Sequence, residues 1–73
     1  MDAAEIAKLS AALDASRAKW REAYEAYGKV SAAYDASQTP ENAAALEAAD
    51  ERLSTADRVM AKAGRALKAA REK

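Results

Sequence analysis

The sequence contains no cysteine and no histidine. Without cysteine there is no disulfide, no thiolate nucleophile and no thiolate metal site. Without histidine the usual zinc and iron ligand sets are missing, as is the commonest general base near neutral pH. Phenylalanine is also absent, and the chain has only two glycines and one proline. That leaves little material for chain reversals. Large apolar side chains number only 14: five Leu, three Tyr, two Val, two Met, Ile6 and Trp20. A sandwich, a barrel or a βαβ unit needs a larger core than this. Near Met1 no apolar run reaches the roughly seven residues of a signal peptide. Nowhere does one reach the roughly twenty of a membrane span. The expectation is one domain over 1–73, soluble and cytoplasmic, with no membrane partner.

Alanine is abundant, at 23 of 73 residues, and Glu, Lys, Arg and Leu make up much of the rest. This is the composition of long helices. Twelve cations balance twelve carboxylates, and a neutral chain has no broad attraction for nucleic acid. One stretch reads as a break, Ser37-Gln38-Thr39-Pro40-Glu41. Proline suits the first position of a helix and not its interior. Thr39 then becomes the N-cap, and Glu41 meets the positive end of the helix dipole. Asp2 and Glu5 have the spacing of a capping box at the first start. The pattern predicts helices over 3–36 and 40–72, each roughly 50 Å long. Gly28 and Gly64 are read as tolerated interior glycines.

Both segments repeat at heptad spacing. In the first, Ile6, Leu13, Trp20, Tyr27 and Tyr34 take position a, and Leu9, Ser16, Ala23 and Val30 take position d. In the second, Leu46, Leu53, Met60 and Leu67 take a, and Ala49, Ala56, Ala63 and Ala70 take d. Such spacing predicts a left-handed coiled-coil seam, and the short turn makes it antiparallel. Layers whose residue numbers sum to 76 place every a beside a d, for example Trp20 with Ala56 and Leu13 with Ala63. Six of the eight layers then set a large side chain against Ala or Ser, as native packing density requires. The fold class is therefore an all-α antiparallel two-helix coiled-coil hairpin. A lone hairpin buries each core residue on one side only, so completion by dimerisation or by a partner is expected.

The flanks of the seam differ. On one side Arg17 is expected to face Asp57, and Glu5 is expected to face Lys73 on the other, each pair worth less than about 1 kcal/mol. Tyr24 lies on the e side near Asp50, where its ring covers the seam and its hydroxyl stays wet. Ser10, Arg17, Asp50, Asp57 and Arg71 make the e flank read as solvated surface. The g flank holds Ala12, Lys19, Ala26, Ala33, Ala45, Arg52, Val59 and Ala66, six of them small and apolar. This strip is the expected partner-binding face, with Lys19 and Arg52 giving orientation.

Other clusters carry weaker signals. Glu47, Asp50 and Glu51 read as a solvated acidic face, because a metal site needs more ligands. Trp20, Tyr27 and Tyr34 recur every seven residues and read as core, with Tyr34 partly exposed opposite Asn42. Arg58, Lys62, Arg65, Lys68 and Arg71 form a secondary basic patch. The helix dipole favours cations there, and the patch offers a contact for phosphate or an acidic protein. The two-helix outline is similar to that of the small hairpins of type VII secretion, which carry Trp-x-Gly at the turn. Here Trp20-Arg21-Glu22 falls mid-helix, so no function is carried over.

These features point to a non-enzymatic protein-protein interaction module: a small adaptor, an assembly factor or an inhibitor. Its size fits a phage- or plasmid-type inhibitor of a host complex. The expected partner is a protein or a second copy, with no catalytic residues, metal, cofactor or small-molecule substrate. One alternative is a nucleic-acid-associated protein using the basic end of the second helix. Another is a purely structural scaffold, natural or engineered.

Overall fold

The computed structural model describes residues 3–72. Helix α1 runs Ala3–Ala36 and helix α2 runs Pro40–Arg71. They pack side by side as an antiparallel hairpin measuring 53 × 13 × 12 Å. Its radius of gyration is 16.4 Å, against about 11 Å for a compact chain of this length. The expected helix bounds hold, with Glu72 as the C-cap of α2. Asp2 and Lys73, named above for a cap and an ion pair, lie outside the described residues.

The turn works as its sequence implies, with one addition. Thr39 is extended, and its Oγ1 accepts from the backbone N–H of Asn42 at 3.1 Å, with Pro40 at the first helical position. The Asn42 side chain then reaches back across the turn. Its Nδ2 donates to the carbonyls of Ser37 at 2.7 Å and Ala33 at 3.3 Å. Each carbonyl also accepts a backbone N–H at 3.0 Å, Ala33 from Ser37 and Ser37 from Thr39, so the amide adds a second bond to both. A glycine commonly closes a helix end. Here no glycine stands at the end of α1, and no described residue has positive φ. The asparagine amide instead ties the start of α2 to the end of α1.

All 17 predicted seam residues are buried or half-buried. The deepest are mostly small: Ser16, Ala23, Ala49 and Ala70, together with Leu67. Ser16 disposes of its hydroxyl by donating to the carbonyl of Leu13 at 2.7 Å. No large side chain is fully enclosed among the described residues. Helix geometry explains this. At about 100° per residue, position a adjoins e and position d adjoins g. The large a residues therefore crowd the e flank and, apart from Leu67, stay partly open, while the small d residues line the g flank.

Contacts across the seam agree with the sum-76 layers. A Cβ on Gly64 would lie 4.0 Å from Leu13 Cδ1, which belongs to the neighbouring layer of Leu13 and Ala63. Gly28 faces open space, as a tolerated glycine should. Arg17 differs from expectation. Its guanidinium reaches Asp14 on its own helix at 3.8 Å instead of Asp57. Both groups are well exposed, and a neighbour one turn away costs less side-chain entropy than one across the seam.

Candidate partner-binding groove

Small d residues leave a groove along the middle of the g flank. Ser16, Ala23 and Ala56 form its floor, and Lys19, Glu22, Arg52, Thr55 and Val59 form its walls. The open volume is about 330 Å³, enough for one or two side chains. Val59, an apolar residue on the groove wall, is 53% exposed. Lys19 and Arg52 stand on opposite helices, so the groove has a cation on each wall.

The eight predicted strip residues separate into a centre and two ends. Lys19, Arg52 and Val59 line the groove itself. Ala26 is half-buried just beyond it, and Ala12, Ala33, Ala45 and Ala66 continue the strip as exposed surface. Glu22, Thr55 and the groove floor were missed as site residues. The heptad already held their signal, because small d residues must leave a depression beside g.

The basic patch is exposed throughout, at Arg58, Lys62, Arg65, Lys68 and Arg71. Arg58 donates to Thr55 Oγ1 at 3.3 Å, which holds its guanidinium near the groove wall. Among the described residues no group of three or more Asp, Glu, His or Cys converges as a metal site. No described helix is long and apolar enough to cross a membrane.

The e flank differs from the solvated surface its polar residues suggested. Trp20 and Tyr24 stack there, with ring centroids 5.2 Å apart and planes at 22°. Tyr24 is 56% exposed. Toward the turn Tyr27, Tyr34, Ala43, Leu46, Glu47 and Asp50 line a second open groove of about 340 Å³. The sequence signal was the position of the aromatic residues at a and e on one helix.

No protein-family model matches the chain, and no curated protein and no solved structure matches it.

Proposed function

We propose that the chain is a non-enzymatic protein-binding module that takes a partner helix along its g flank. The observation that supports this most is the groove over Ala23 and Ala56, with exposed Val59 on its wall. Large side chains of an amphipathic helix fit such a depression, and the alanines let the backbones approach closely. Lys19 and Arg52 favour carboxylates beside the partner's apolar stripe. A small adaptor, assembly factor or inhibitor would act in this way, by occupying a helical surface and doing no chemistry.

The test is the double variant Ala26→Glu, Val59→Glu. Neither residue is a seam layer, so helicity by circular dichroism should match wild type. Captured on beads in extract of the source cell, the variant should lose the partner that wild type retains, because the two carboxylates fill the groove with polar groups and face Lys19 and Arg52, taking up the cations that would meet the partner. Retention of the same partner would refute the groove.

The second reading, nucleic-acid binding, draws support from the five exposed cations of the second half of α2, Arg58, Lys62, Arg65, Lys68 and Arg71. It requires affinity that falls steeply with salt, whereas docking of an apolar helix changes little. Fluorescence anisotropy with labelled duplex over a salt series separates the two.

A further inference from the structure

The e flank has three features that belong together. At its centre Trp20, midway along α1, stacks under the exposed ring of Tyr24. On the turn side is the tyrosine-lined groove with Glu47 and Asp50 at its rim. On the side of the open end the same flank carries Lys68 and Arg71, both exposed. The whole molecule repeats this polarity. Residues 22–54, around the turn, hold two cations and seven carboxylates, five net negative. Residues 3–21 and 55–72, at the open end, hold nine cations and four carboxylates, five net positive. A chain of zero net charge is thus a rod with opposite poles.

The geometry points to a second copy of the chain as the occupant of this flank. The two hairpins would lie antiparallel across a two-fold axis near Trp20 and Tyr24, forming a four-helix bundle. Antiparallel pairing sets each acidic turn end over the other copy's basic open end, whereas parallel pairing sets like poles together. A two-fold interface is self-complementary, and residues near its axis meet their own copies. The aromatic pair would then occupy the centre of the interface, where such residues contribute most. Area agrees. The chain exposes 5299 Å², against roughly 4,300 Å² for a compact protein of its mass. A standard interface removes about 800 Å² per partner, which accounts for most of that excess. The inference rests on reading the chain as a binding module, but it uses the flank opposite the groove proposed above.

Sedimentation equilibrium tests it with five proteins. Wild type should be a dimer. Tyr24→Glu should sediment as a single chain with helicity unchanged, because Tyr24 lies outside the seam. Glu47→Lys with Asp50→Lys, and separately Lys68→Glu with Arg71→Glu, should each weaken self-association by roughly tenfold or more. Mixed in equal amounts, these two charge-reversed proteins should recover the dimer, since each turn end now meets an open end of opposite sign. Ala26→Glu, Val59→Glu should still dimerise, which separates this inference from the partner groove. Wild type remaining a single chain at millimolar concentration would overturn the inference, even if a foreign protein or nucleic acid bound the flank. Charge-reversed proteins that dimerise as wild type does, or that fail to recover on mixing, would also overturn it.

Discussion

Trp20 is the largest side chain in the molecule and is only half-buried. Its Nε1–H is shut away from solvent yet meets no acceptor among the described residues. An unpaired buried donor is costly, so replacing the indole with a ring that lacks one should recover part of the lost area. Trp20→Phe is expected to melt within about 1 kcal/mol of wild type. Trp20→Ala should lose about 2 kcal/mol, below the 3–5 kcal/mol typical of a fully buried aromatic, because one face is already wet. Thermal melts of dilute samples compare the two, and equal losses would mean that the indole N–H has a partner. Gly28 gives the opposite sign. A Cβ there meets nothing within 4 Å, so Gly28→Ala should stabilise the hairpin by about 1 kcal/mol through helix propensity alone. A lower melting temperature for Gly28→Ala would show that α1 needs a backbone bend at that point.

Between the helices, the cost of adding volume should follow the sidedness of the seam. Ala23 is only 1% exposed, so Ala23→Leu must displace neighbours and should destabilise by about 1–3 kcal/mol. Ala56 occupies the equivalent position on α2 and shares the groove floor with Ala23, but it is half-buried, with open space above it. Ala56→Leu can send its tip into that space and should cost less, while filling the groove. Equal costs in chemical denaturation would mean the groove is closed in solution. The seam, the turn and the Thr39 cap were legible in the sequence because each rests on local periodicity or on one residue beside a proline. The role of Asn42 was not. Its amide bonds the end of a different helix, at Ala33 and Ser37, and that needs the turn's geometry in three dimensions. Asn42→Ala leaves the Thr39 cap intact, since the cap uses the backbone N–H of residue 42. It should cost about 1 kcal/mol, with amide shifts changing at 33–37. Unchanged shifts there would remove the asparagine from the closure. The sidedness of the aromatic residues was hidden for another reason. A heptad reading treats a and d as one core, whereas Tyr24 and Tyr27 show that the a side opens onto its own flank.

At the scale of the whole molecule, the opposite poles and the unfinished core bear on the same equilibrium. Apart from Leu67, the large a residues are only half-buried along one flank because two helices do not enclose them, whereas a second hairpin would. With two copies paired as proposed, stability should be tied to protein concentration, since only the folded chain would self-associate. Each tenfold rise in concentration should add about 1.4 kcal/mol to the folded dimer. For a pair of such chains that raises the melting temperature by a few degrees. Salt separates the two contributions. The charged ends lie at the surface, where the Debye length is about 8 Å at physiological ionic strength, so added salt should lower the melting temperature of the dimer. The central aromatic contact is apolar and should persist, leaving the concentration dependence in place at high salt. Calorimetric scans over a concentration series, at low and at high salt, measure both effects. A melting temperature that ignores concentration would mean that a single hairpin is stable with its aromatic flank uncovered. One that ignores salt would leave the aromatic centre in place and remove the poles from the contact.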